Sequence, residues 1–299
     1  MLETPLQPSR LLSDAARAAV YLKLENLQPT GSFKVRGALH KLLSLGDAQR
    51  RRGIVAASTG NHGAAIAYGA SALAIRAIVF VPEAASPAKV ENIRALGAEV
   101  RAYGDESAAT ETHARAYAAE HGMTYVSPYN DWDVVAGQST IGLEIYRQLP
   151  FVDVLIASLG GGGMIGGAAG FLKSVRPGVR VIAASARNSK TMMESVKAGR
   201  IVQTEHLPTL SDGTAGGVEE GAITFDLCRS FVDEYVDVSE DDIKQAIRYF
   251  IETHHILIEG AAGVAVAALR NAGERFAGLH VAVVICGANI SATSLRDAL

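Results

Sequence analysis

One lysine and three loops carry the residue types that do chemistry. Lys34 sits in "LENLQPTGSFKVRGA" (24–38), just after a Pro-Thr-Gly-Ser turn and where a helix begins. The positive end of a helix dipole disfavours a cation there. The position suits either a solvated side chain or an amine wanted neutral, as a base or Schiff-base former must be. "SLGGGGMIGGAAGF" (158–171) follows a strand-like run and opens a helix. Its four successive glycines let backbone approach a ligand and aim N–H groups at an anion. The same loop matches G-x-G-x-x-G through Gly161, Gly163 and Gly166, so a dinucleotide turn competes with a phosphate cradle. A dinucleotide fold wants an acidic residue at the next strand end. That strand end is "AASAR", with Ser185 and Arg187, which leaves only a 2′-phosphate partner in Arg187. "ASTGNHG" (57–63) gathers Ser58, Thr59, Asn61 and His62 around Gly60 and Gly63, either to bind a carboxylate or to cap a helix. "ICGAN" (285–289) puts Cys286 at the end of a buried strand, the place of a small core residue or of a ligand contact.

Such loops need a scaffold that ends strands beside one another. Short Val/Ile/Ala runs at 53–58, 76–82, 98–104 and 123–129 read as strands. The segments between them, such as "HGAAIAYGASAL", "SPAKVENIRALG" and "ESAATETHARAYAAEHG", read as helices. The second half repeats the habit with "VDVLIASLG", "VRVIAASA", "EYVDVS" and "HVAVVICGA", and with the helical "EDDIKQAIRYFIETH". Continuous apolar runs suit strands buried on both faces. Alternating βα units predict an α/β fold of two open, twisted, mostly parallel sheets flanked by helices. Ligands of such sheets bind at the carboxyl ends of the strands, where all three loops lie.

Bulk properties narrow the functions further. The chain of 299 residues is 48% hydrophobic, with a formal net charge of −3 and scattered basic residues, which predicts no nucleic-acid partner. No run of about 18 apolar residues occurs, so no membrane span is expected. Cys228 and Cys286 make neither a disulfide framework nor a CxxC metal pair. The start "MLETPLQPSRLL" lacks an apolar stretch of signal-peptide type, and a cytoplasmic setting is expected.

Taken together, a lysine, a glycine phosphate loop, an Asn-bearing polar loop and a strand-end Cys meet the needs of pyridoxal phosphate. That cofactor requires an amine, an anion cradle, a hydrogen bond to its ring hydroxyl and a partner for its ring nitrogen. At this point the sequence resembles the fold-type II pyridoxal-phosphate enzymes, whose architecture is tryptophan synthase β-like, and among them the serine/threonine dehydratase and serine racemase group. The likeness runs from "TPL" (4–6) through "KLENLQPTGSFKVRGA", "STGNHG", "GGGGM", "LSDGTAGG" and "ILIEGAAGVAVAA" to "ICGAN".

The resemblance implies roles residue by residue. Lys34 would form the Schiff base and Phe33 would pack near the ring. Asn61 would bond the ring hydroxyl, and Gly160, Gly161, Gly162 and Gly163 with Met164 would hold the phosphate. Cys286 would face the pyridine nitrogen, Gly213 would line the site and Glu259 would lie close to the cofactor. Ser58, Thr59, Asn61 and His62 would bind the substrate carboxylate. It also implies a large domain of 1–52 plus 129–299, a small domain of 53–128, and a homodimer. Three departures bear on the reaction. Racemases of the group carry a second Ser where this chain has Thr59. The acidic residue of the group's divalent-cation site is replaced at Ser185, so no metal is expected. Only ten residues follow Asn289, which leaves no room for the regulatory domain of biosynthetic threonine dehydratases.

The expected activity is therefore dehydration and deamination of L-threonine or L-serine to a 2-oxo acid and ammonia. Serine racemisation is the rival. A dehydratase for 3-hydroxyaspartate or a hydroxyectoine-like compound, a non-catalytic pyridoxal-phosphate or amino-acid binding module, and a nicotinamide oxidoreductase complete the alternatives; the last leaves the Lys34 stretch unexplained.

Overall fold

A computed structural model describes all residues, Met1–Leu299. The strands, in chain order, are β1 Leu6–Pro8, β2 Ala19–Lys23, β3 Ile54–Ala57, β4 Ala77–Val81, β5 Glu99–Ala102, β6 Thr124–Tyr125, β7 Val154–Ser158, β8 Arg180–Ala186, β9 Glu234–Val238 and β10 His280–Val284. The α-helices are α1 Arg10–Ala16, α2 Lys34–Ser44, α3 Asp47–Arg52, α4 Asn61–Ala72, α5 Pro87–Ala95, α6 Ser107–Glu120, α7 Trp132–Gln148, α8 Gly163–Val175, α9 Thr191–Ala198, α10 Ile223–Phe231, α11 Glu240–His254, α12 Gly260–Ala272 and α13 Ala292–Ala298. None is long and apolar enough to cross a membrane. The chain forms two compact units, one of Met1 and Lys34–Gly137, the other of Leu2–Phe33 and Gln138–Leu299.

The first unit holds a fully parallel four-stranded sheet in the order β5-β4-β3-β6. Alternate residues of β3 serve its two faces, as the two-residue period of a strand requires. Ile54 and Ala56 pack with Val35 and Leu42 of α2 and Ile66 of α4. Val55 packs on the other face with Ile78, Phe80 and the α6 residues Ala114 and Ala118. Because α2 contributes to this core, the unit begins near Lys34, well before the expected 53, and continues past 128 into α7. The strand read at 123–129 is shorter than expected. Past Tyr125, Ser127 Oγ accepts the N–H groups of Tyr129 and Asn130, and Pro128 has no N–H to give a ladder.

The second unit holds a six-stranded sheet in the order β1-β2-β10-β7-β8-β9. β1 runs antiparallel to β2, and every other pair is parallel. α12, apolar nearly all round in sequence, is buried along almost its whole length. α7 approaches α8 where Gly142 meets the Ala168 carbonyl, a contact with no room for a Cβ. β1 and β2 were not foreseen from the sequence. β2 ends in Lys23, which reads as a surface residue, yet its side chain is wholly buried among polar partners.

Candidate active site

The first unit carries Lys34 and the "STGNHG" loop. Lys34 is the first residue of α2, and its Nζ donates to the Pro128 carbonyl at 2.9 Å. Ser58 and Thr59 follow β3, and Asn61 starts α4. The loop folds back on itself: the Gly60 N–H donates to Ser58 Oγ at 3.2 Å, and Gly63 packs against the Ser58 carbonyl too closely for any side chain. The hydroxyls of Ser58 and Thr59 and the first N–H groups of α4 thus sit on one tight turn, a usual arrangement for an anion.

His62 is buried, and its Nε2–H donates to the Val126 carbonyl at 2.9 Å. Burial, and secondarily the charge of Lys34, push its pKa down to about 3. The ring is neutral, with Nδ1 left as an acceptor, so the side chain has no donor for a carboxylate, while its backbone N–H lies in the first turn of α4. A pH dependence follows. The folded pKa lies below the ordinary 6.5, so below that pH the unfolded chain takes up a proton that the folded one refuses. The His62 contribution is complete above pH 6.5 and is lost as pH falls toward 3. Urea unfolding followed between about pH 7 and pH 4 is expected to lose stability faster in the wild type than in His62→Gln, by up to about 1.4 kcal/mol per pH unit.

The second unit carries the remaining candidates. The turn that ends at Phe33 is laced to the strand end bearing Cys286. The Phe33 N–H donates to the Cys286 carbonyl at 3.0 Å, the Ala288 N–H to the Gly31 carbonyl at 2.9 Å, and Asn289 Nδ2 to the Thr30 carbonyl at 2.8 Å. Gly31 has φ 71, and a Cβ there would lie 2.7 Å from Asn289 Oδ1, so only glycine fits. Cys286 is 1% exposed. Ser158 Oγ lies 3.6 Å from its sulfur, and the sulfur lies 3.8 Å from Glu259 Oε1. Burial, reinforced by the Glu259 carboxylate, raises the thiol pKa well above its ordinary value, so Cys286 stays an uncharged S–H. Glu259 Oε2 accepts the Asn289 N–H at 3.1 Å, and its carboxyl lies over Gly287, where a Cβ would be 2.6 Å from Cδ.

The glycine loop runs from β7 into α8, which begins at Gly163. A Cβ on Gly160 would meet Thr214 Cα at 3.0 Å, which brings the short helical turn Asp212–Thr214, with Gly213, against the loop. Ser211 and Thr214 share a hydroxyl bond of 2.6 Å, and Leu210 packs on Gly260 at the start of α12. Gly162 has φ 86, and a Cβ there would lie 2.7 Å from Cys228 Sγ. Gly162→Ala therefore combines left-handed strain with overpacking, an expected loss of about 2–5 kcal/mol. Urea unfolding checks that value, and titration of the cofactor-free variant with pyridoxal phosphate checks the accompanying loss of affinity.

Several groups gave no signal in the sequence. The Pro128 carbonyl is backbone and belongs to no motif. Thr224 Oγ1 is buried without a partner, on the α10 turn that faces Gly162. Both polar atoms of the Gln138 carboxamide are likewise buried and unpaired. Ser185 Oγ is a third such group, at the end of β8. Arg187, weighed as a 2′-phosphate partner, is an exposed surface residue that donates to Asp237 at 3.1 Å.

These residues fit pyridoxal phosphate. The cradle is one that side chains would fill, the N–H groups of Gly160–Met164 have no backbone acceptors of their own, and a thiol held neutral suits an unprotonated pyridine nitrogen. A parallel α/β scaffold with such a loop, a helix-start lysine and a strand-end thiol defines a pyridoxal-phosphate enzyme. The profile of the family described as "Pyridoxal-phosphate dependent enzyme" matches residues 1–287, and the chain belongs to that family. An L-threonine ammonia-lyase of Thermotoga maritima is 42% identical over 287 residues, covering 96% of this chain and 71% of that protein. Among solved structures, the processed form of threonine deaminase isoform 2 from Solanum lycopersicum superposes with a TM-score of 0.94 at 31% identity, covering 99% of this chain and 87% of that one. Maize serine racemase superposes with a TM-score of 0.92 at 27% identity, covering 99% and 91%.

Proposed function

We propose that the protein is an ammonia-lyase that converts L-threonine or L-serine to a 2-oxo acid and ammonia. Elimination loses water and hydrolysis of the resulting enamine returns it, so the net products are those two. The observation that carries the reading is Lys34 at the first turn of α2 with its amine on the Pro128 carbonyl, in the motif "SFKVRGA". Pyridoxal phosphate supplies an electron sink for the carbanion formed at the substrate α-carbon. Lys34 would hold the cofactor, and its amine, kept neutral, would take the α-proton of the substrate. The N–H groups of Gly160–Met164 at the α8 N-terminus would hold the phosphate. Asn61 would bond the ring hydroxyl, Cys286 would face the ring nitrogen, Phe33 and Glu259 would lie near the cofactor and Gly213 would line its site. Ser58, Thr59 and the N–H groups of Asn61 and His62 hold the substrate carboxylate.

Thr59 in place of a second serine favours elimination over racemisation. Incubating the holoenzyme with L-serine, L-threonine and 3-hydroxyaspartate, and following both 2-oxo acid and D-isomer, separates the readings. Oxo acid from threonine or serine is the expected result; D-serine without oxo acid would make the protein a racemase, and oxo acid from 3-hydroxyaspartate alone would change its substrate. A reducing cytoplasmic setting is supported by two buried free thiols, Cys228 and Cys286. A homodimer is supported by large apolar side chains left exposed on the single chain, Trp132 at 63% and Leu43 at 57%. Sedimentation of the purified protein tests the dimer.

A further inference from the structure

The Lys34 amine rests on a backbone carbonyl whose own position is braced from both sides. Upstream, the Val126 N–H donates to the Val55 carbonyl of β3 at 2.8 Å, and the Val126 carbonyl accepts His62 Nε2–H at 2.9 Å. Downstream, Ser127 Oγ accepts the N–H groups of Tyr129 at 3.5 Å and Asn130 at 3.0 Å, and closes a tight turn. Between the braces lies Pro128, whose ring fixes its φ. Its carbonyl accepts Lys34 Nζ at 2.9 Å. The carbonyls of Val126 and Pro128 are two residues apart, and each accepts a side chain of the same unit, His62 and Lys34. One three-residue run thus serves two side chains, the imidazole at one end and the amine at the other.

We propose that His62 is a positioning residue for Lys34: its imidazole fixes the Val126 carbonyl, and the run 126–128 passes that constraint to the Pro128 carbonyl on which the amine rests. The inference rests on the reading that Lys34 is the residue that captures the cofactor. It differs from a carboxylate-binding role for the His62 side chain, because the only N–H of the neutral ring is spent on Val126. An amine held in one place reaches an aldehyde without first searching for its geometry, and that is the step an altered carbonyl would slow. A glutamine at 62 can present a carboxamide N–H where Nε2–H now lies, whereas leucine fills the space and offers no donor.

The test uses cofactor-free protein mixed with pyridoxal phosphate. The growth of the visible band of lysine-bound cofactor is timed, and borohydride trapping followed by peptide mapping locates the modified residue. His62→Leu is expected to slow capture at Lys34 about tenfold or more, and His62→Gln to stay within about threefold of wild type. Capture by His62→Leu at the wild-type rate would overturn the proposal. So would a His62→Gln as slow as the leucine variant, since the imidazole would then serve some other purpose. If His62→Leu does not fold, Ser127→Ala removes the opposite brace; slowed capture supports the proposal, and an unchanged rate overturns it. Wild-type protein that traps cofactor on a residue other than Lys34 would instead sink the assignment of the lysine, a separate outcome from those that bear on His62.

Discussion

Lys34→Ala is expected to lose turnover by roughly 10⁴-fold or more while the fold persists, because in the proposed mechanism one side chain supplies both the covalent link and the general base. The substitution removes an amine from the first turn of α2 and leaves the Val35 and Leu42 packing of that helix intact. The residues proposed to grip the phosphate and face the ring nitrogen, Gly160–Met164 and Cys286, belong to other elements of the chain and are unaltered. The variant should therefore retain pyridoxal phosphate non-covalently, lack the visible band of lysine-bound cofactor, and give no labelled peptide after borohydride reduction. Turnover at the wild-type rate with the band preserved would show that another amine does this work. Position matters as much as chemistry here. Lys34 sits at the positive end of α2, where an added positive charge is disfavoured, and next to a histidine that stays neutral down to about pH 3.

The second large effect concerns stability. Lys23→Met is expected to cost about 3–5 kcal/mol, the range for breaking a buried ion pair from one side. Lys23 Nζ donates to Glu144 Oε2 at 2.6 Å, to the Thr4 carbonyl at 2.7 Å and to Gln148 Oε1 at 3.2 Å, with none of its side chain exposed. The same Glu144 oxygen accepts the Thr4 N–H, and the Thr4 hydroxyl donates to Glu25 Oε1 at 2.5 Å. The ammonium thereby ties the segment ahead of β1 to the end of β2 and to α7. Removing it takes the ammonium from a buried carboxylate, whereas removing both charges removes the pair as a whole. The double variant Lys23→Met/Glu144→Leu should accordingly recover most of the loss in urea unfolding. A single variant within about 1 kcal/mol of wild type would mean that the pair behaves as a surface bridge.

How much of this could be read from sequence depended on the kind of force involved. The parallel strands 54–57, 77–81, 154–158 and 180–186 were legible because strands buried on both faces are written as unbroken Val, Ile and Ala. The loops were legible because glycine and small polar residues cluster where backbone must approach a ligand. β2 was not, because a lysine that ends a strand signals solvent unless its distant partners, Glu144 and Gln148, are known to meet it. The extent of the smaller unit was not legible either: α2 joins it through packing of Val35 and Leu42 against α4, a tertiary contact with no local mark. His62 stood out in the sequence as a polar residue in a glycine-rich loop, but its bond to Val126 and the dock of Lys34 on Pro128 engage carbonyls, which sequence patterns do not record.

The division of the chain has one further consequence. The stretch Lys34–Gly137 is an insertion within the unit of Leu2–Phe33 and Gln138–Leu299. Its two ends lie together, for a Cβ on Gly137 would come within 2.6 Å of the Arg36 carbonyl and of Gly37 Cα. A chain that leaves and re-enters a domain at neighbouring points closes its detour at little entropic cost, however long the detour is. The host unit can therefore bring its early strands beside its late ones as though the insertion were a short loop. Two folds with separate cores then share one continuous polypeptide, and each is free to acquire substitutions in its own core with little penalty to the other.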